Sequence, residues 1–144
     1  MLLPPDPRLT NPSIYNREQI VAAVTEFYQF LTTLPFVEPD EILYPPPEGW
    51  PQITKDKFAF LNKTDEVIEL LRHLPYLDSS RGEWNIFPWT KSCDYLKGNV
   101  KAYIPFPPED DYEFPTWVIN LTYSEGNYGK YLMLDTTDGW FRYN

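Results

Sequence analysis

Apolar residues recur at Ile20, Val24, Phe27, Leu31 and Leu34, in alternating steps of four and three that set them on one side of a helix. Asn16 stands where a side-chain oxygen caps the first turn, Gln19 occupies the capping-box position, and Tyr15 and Ile20 are spaced for a hydrophobic staple. Pro35 ends the pattern. Val21, Tyr28 and Phe30 widen the stripe, so the helix is expected to be covered on more than one side. A second helical stretch is predicted from Thr54, with Ile53 stapling to Phe58. A third starts at Thr64, whose hydroxyl caps a turn led by Asp65 and Glu66. Val67, Ile68, Leu70 and Leu71 form its buried side, Arg72 and His73 suit its C-terminus, and Pro75 stops it.

Past a turn at 78–82 the period changes to two over 84–89, 100–104 and, most clearly, 117–123. In the last of these Trp117, Ile119, Leu121 and Tyr123 share one face, and Val118, Asn120 and Thr122 the other. A hairpin connection at 125–129 leads to a strand at 131–134, and Thr137-Asp138-Gly139 turns it into a strand at 140–143. The last 28 residues therefore read as a three-stranded meander. The fold class predicted is α+β, with N-terminal helices packed on a C-terminal antiparallel sheet. A length of 144 residues fits one domain spanning the whole chain.

Proline interrupts these patterns twice. Pro4, Pro5, Pro7 and Pro12 make residues 1–12 an extended arm, because each removes a backbone donor and fixes φ. Six prolines between 35 and 51 leave room only for a short turn around 40–43. A connection of that length is usually functional or a linker. With Tyr44 and Trp50 to pin it, an ordered surface wrap is expected.

Composition narrows the picture further. With 42% hydrophobic residues, nine Phe, eleven Tyr and five Trp, the chain has ample material for a core, which excludes wholesale disorder. The net charge of −9 is spread evenly, −5 over residues 1–72 and −4 over the rest, so no basic face is implied. Nucleic acid and anionic membrane are poor partners for such a field. Charged residues and prolines break every apolar stretch well short of the roughly 20 residues that cross a bilayer. The N-terminus lacks the basic start and apolar segment of a secretion signal, and the lone Cys93 cannot form an internal disulfide. Both point to a reducing, cytoplasmic setting, in which the two N-x-T triplets at Asn62 and Asn120 carry no meaning.

Candidate chemistry is sparse. His73, Cys93 and Asp94 are the residue types of a thiol-imidazole site, but a helix-terminal His and a strand Cys are the ordinary furniture of a fold, and no spacing joins them. One Cys and one His are too few for structural zinc. The acidic run Glu109, Asp110, Asp111 and Glu113 lacks the alternation and central Gly of a calcium loop. None of the six glycines forms a phosphate-binding motif. No catalytic residue, metal or cofactor is assigned on these grounds. What stands out is the pairing of aromatics with acids and prolines. Tyr44, Trp50, Glu109, Asp110, Asp111, Tyr112 and Trp117 are the candidate binding residues, suited to a protein partner and, by charge, to a basic one. The plainer reading is that such aromatics pin irregular loops to the core.

Trp50-Pro51 with Ile53, then Leu74-Pro75, and Leu132-Met133-Leu134-Asp135-Thr136 followed by Gly139 resemble the SUKH (Smi1/Knr4-like) superfamily. That resemblance implies a helical part packed on an antiparallel sheet. It also implies a non-catalytic binding module, as in bacterial toxin-immunity proteins and a fungal cell-wall regulator. The stretch from Asp65 to Tyr76, with Trp84, is similar to uncharacterised fungal proteins and implies no activity. The leading expectation is thus a protein-binding or regulatory module. The alternatives are a small enzyme or small-molecule binder with an aromatic-lined pocket between helices and sheet, using Asp94 or Asp135, and an immunity-type protein neutralising a basic partner by charge.

Overall fold

A computed structural model describes residues 15–35, 37–82, 85–103, 115–124, 129–137 and 141–143. Helix α1, Arg17–Leu31, begins as its sequence dictates: the Asn16 side chain accepts from the Gln19 backbone N–H at 3.1 Å. Ile20, Val24, Tyr28 and Leu31 are its buried residues. Leu34 does not join them. After Leu31 the chain tightens into i→i+3 bonds, Thr33 to Phe30 and Leu34 to Leu31, while the Thr32 and Thr33 hydroxyls bond back to the Gln29 and Phe30 carbonyls. Leu34 lies three residues past the last α-helical residue, Leu31, and is 39% exposed.

The second helical stretch is a turn rather than an α-helix. The Thr54 hydroxyl caps Lys57, Phe58 bonds to Thr54, and a 3-10 turn follows at Ala59–Leu61. Helix α2, Asp65–His73, is capped by the Thr64 hydroxyl on the Val67 N–H. Val67, Leu70 and Leu71 are fully buried and Ile68 nearly so, each worth about 1.5–3 kcal/mol of transfer free energy. Arg17 of α1 approaches Glu69 of α2 at 3.7 Å.

The described residues also include eight short strands. β1, Ile42–Leu43, pairs antiparallel with β2, Tyr76–Leu77. β3, Asn85–Phe87, and β4, Thr90–Ser92, form a hairpin about Pro88 and Trp89, the latter at φ +59°. Of the segment 84–89, expected to be one strand, residues 85–89 are thus the first arm and turn of a hairpin, and Trp84 lies outside the described residues. β5, Val118–Asn120, and β6, Thr122–Ser124, are two halves of one segment divided at Leu121. β7, Leu132–Asp135, and β8, Phe141–Tyr143, follow. The sheets β3-β4-β6 and β5-β7-β8 join where Leu121 donates to the Leu132 carbonyl and accepts from the Cys93 N–H. The expected meander is therefore present, with the β3-β4 hairpin added beside β6, and the fold is α+β.

Residues 100–104 were expected to alternate as a strand, but Val100–Tyr103 is a 3-10 turn. Its period of three puts Val100 and Tyr103 on one side, both packed into the core. Lys101 is left exposed. The core runs from α1 through α2 and β2 to Ile119 and Leu134. Within it Tyr76, Tyr95 and Tyr103 pack edge to face at ring separations of 6.3 and 5.6 Å.

Candidate functional site

The Pro-rich connection is held at both ends. At its far end the Trp50 backbone N–H donates to the Arg72 carbonyl and the indole Nε1–H to the Leu74 carbonyl, both at 2.8 Å. These bonds satisfy carbonyls that the last turn of α2 leaves orphaned. Arg72 reaches back, Nη2 to the Glu48 carbonyl at 3.2 Å and Nε to that of Trp50 at 3.4 Å. Gly49, at φ +91°, permits the approach, since a Cβ there would sit 3.1 Å from the Arg72 carbonyl oxygen. At its near end the connection is tied down by the β1-β2 pair. It is the ordered wrap that its prolines and aromatics predict.

Of the candidate binding residues, Tyr44 lies between these fastenings and is 51% exposed, its hydroxyl accepting from Gln29 Nε2 at 3.3 Å. Trp50 is half-buried, its ring 6.4 Å from that of Tyr76, and it acts as a pin. Trp117 is exposed, but its carbonyl is tied to the Thr136 N–H and hydroxyl. It sits beside the start of α2, where the Thr64 N–H donates to the Thr116 carbonyl and the Lys63 ammonium to that of Pro115. Burial lowers the Lys63 amine to about 8. Glu109, Asp110, Asp111 and Tyr112 lie outside the described residues.

The segment ahead of Tyr44 carries a feature that sequence reasoning missed. Glu41 closes the 3-10 turn Pro39–Glu41 and turns its side chain inward, where it is 4% exposed. Its Oε2 has no hydrogen-bond partner among the described residues. Its Oε1 is 4.0 Å from Nη2 of Arg81, whose Nη1 is held at 2.9 Å by the exposed Asp40. Asp40, Glu41 and Asp78 all act on that guanidinium. The Asp78 N–H donates to the Glu41 carbonyl, which extends the β1-β2 ladder.

The neighbouring carboxylates are, by contrast, filled. Asp78 accepts from the Ser80 N–H and hydroxyl and from Lys97 Nζ at 3.2 Å. The Ser80 hydroxyl bond is the largest influence holding its carboxyl below the usual range. Asp94 accepts the backbone N–H groups of Ser79, Leu96 and Lys97. Among the described residues, no three His, Cys, Asp or Glu side chains are grouped to hold one metal ion.

A groove of about 350 Å³ runs along the outer side of α2, with Ile53 and Ile68 beneath and the Lys55–Asp65 and Glu69–Arg72 ion pairs along its rim. It does not lie between helices and sheet, where the tyrosines described above pack on one another.

The residues considered for catalysis each have a structural partner. His73 places Nδ1 against the Glu69 carbonyl at 2.8 Å and its Cε1 beside Gly49. Cys93 is buried under the sheet with Asn120 Nδ2 at 3.4 Å from its sulfur, and burial pushes its thiol well above the ordinary range. Alkylation with iodoacetamide should therefore leave Cys93 unmodified in the native chain and label it once urea unfolds the protein. Native labelling at the rate of a free thiol would contradict this placement. Asp135 accepts from the Thr137 N–H and hydroxyl, so it and Asp94 serve turns of the backbone.

No helix among the described residues is long and apolar enough to cross a membrane. No family model, curated protein or solved structure matches this chain.

Proposed function

We propose that this protein is a non-catalytic binding module, of the SUKH-like kind its sequence resembles, that engages a basic protein partner through the Pro-rich connection and the acids beside it. The observation that carries this reading is Tyr44, half exposed on a connection fastened at both ends and flanked by the exposed acids Glu38 and Asp40. A fastened segment loses little conformational freedom on binding, and a presented Tyr is a frequent hot spot. The net charge of −9 favours a basic partner by long-range attraction. The inert surroundings of Cys93 and the filled carboxylates of Asp94 and Asp135 support the non-catalytic side of the reading. The small-molecule alternative draws less support, because the core tyrosines Tyr76, Tyr95 and Tyr103 pack on one another.

The test is capture from cell lysate by the full chain at low and at high salt, comparing wild type with Tyr44→Ala and Asp40→Lys. A partner bound by the wild type should be retained about tenfold less by either variant. Retention should also fall with salt. Thermal unfolding of Tyr44→Ala should match the wild type, since that side chain faces solvent, and Asp40→Lys should still unfold in one cooperative transition. Equal retention by all three proteins would sink the proposal.

A further inference from the structure

Among the described residues, the corner formed by Asp40, Glu41 and Arg81 is one positive charge short. Three carboxylates, those of Asp40, Glu41 and Asp78, face two cations, Arg81 and Lys97. Lys97 belongs to Asp78, and Arg81 is drawn outward by Asp40 at 2.9 Å, which leaves it 4.0 Å from Glu41. The other oxygen of Glu41, Oε2, is closed off from solvent and has no donor among the described residues. A buried charged acceptor without a donor is costly, and a neutral Gln of the same shape would avoid most of that cost. An arrangement that spends stability in this way next to an exposed acid is a reason to look for a ligand.

Resting on the binding-module reading above, we propose that this corner takes up one arginine of the partner: the incoming guanidinium pairs with Asp40, and Arg81, released from Asp40, turns inward to donate to Glu41. Access favours this exchange over direct contact with Glu41. The Asp40 side chain is 75% exposed and that of Arg81 40%, whereas Glu41 Oε2 is sealed. A metal ion does not fit the corner, since the described acids do not converge on one point. A guanidinium does, because it pairs with a carboxylate through two parallel N–H bonds and loses its hydration readily.

The probe is acetyl-Gly-Arg-Gly-amide, titrated into the full chain alongside the same peptide with citrulline, which keeps the shape and removes the charge. The readouts are the Arg81 Nε–H and the Glu41 carboxyl ¹³C resonances. The arginine peptide should move both saturably and the citrulline peptide neither. Asp40→Asn should weaken binding at least tenfold without altering the fold. Glu41→Gln should weaken it several-fold while raising the unfolding temperature by about 3 °C. Equal shifts with citrulline, no shift at Glu41, or unchanged affinity in Glu41→Gln would each overturn the proposal. The two levels remain separable. Partner capture that depends on Tyr44 but ignores Glu41→Gln would leave the binding-module reading standing and remove the arginine site. Saturable peptide binding at the corner with no partner captured would do the reverse.

Discussion

Replacing Trp50 with Ala is expected to lower the unfolding free energy by about 3 kcal/mol, read as an earlier urea midpoint at unchanged slope. The loss has two sources. The ring leaves its place against Tyr76, and the Arg72 and Leu74 carbonyls lose or loosen donors at the end of α2. Trp50→Phe separates them: it keeps most of the apolar contact and deletes only the indole bond to Leu74, at a cost of about 1 kcal/mol. A midpoint within experimental error of wild type for Trp50→Ala would mean that the ring decorates the surface rather than fastening the connection.

Asn120 is the second position at which a single change should matter most. Its side chain is 6% exposed and its Nδ2 donates to the Tyr103 carbonyl at 2.8 Å and to that of Thr122 at 3.0 Å. Its Oδ1 and its own carbonyl both receive the Tyr95 hydroxyl. These bonds hold the segment together where β5 gives way to β6 and tie the 3-10 turn at 100–103 beneath it. Asn120→Ala deletes the donor and is expected to cost about 3 kcal/mol. Asn120→Asp tests the polarity. An ionised carboxylate would face two carbonyl oxygens in a buried site, so the folded state would hold the acid in its protonated form and raise its pKa above the unfolded value near 4. The destabilisation of Asn120→Asp relative to wild type should therefore be smaller at pH 4 than at pH 8, growing as pH rises. A penalty independent of pH would remove the charge argument.

Local rules account for much of what the chain does. The cap at Asn16, the cap at Thr64, the buried stripe of α2 and the final meander were all legible, because each depends on neighbours within a few residues in sequence. Leu34 misled because the apolar spacing runs on past Leu31, where the α-helix has already ended. The segment 100–103 misled because four residues of apolar and polar alternation fit a period of three as easily as a period of two. The β1-β2 pair was invisible for another reason. Two residues between prolines carry no strand pattern, and the pairing of Ile42 with Leu77 joins positions remote in sequence. Of the candidate binding residues, Tyr44 and Trp50 were found by their chemistry, but which would be pin and which would be presented depends on α2. Glu41 could not be found at all. Its burial comes from packing against residues remote in sequence, Asp78 and Arg81 among them, and the nearest signal was an acid directly ahead of two aliphatic residues in a proline-dense stretch.

Connections of this length are the usual place where a domain accepts extra residues, by insertion or by opening new termini, because their backbone is free of obligations. Between Leu43 and Trp50 that freedom is gone. The β1-β2 pair fixes one end, the bonds to the last turn of α2 fix the other, and Gly49 fits a gap that no other residue fills. One added residue would slide Trp50 off its two carbonyls or pull β1 out of register. This stretch therefore behaves, toward a change of length, as a helix or a strand does, despite containing little of either.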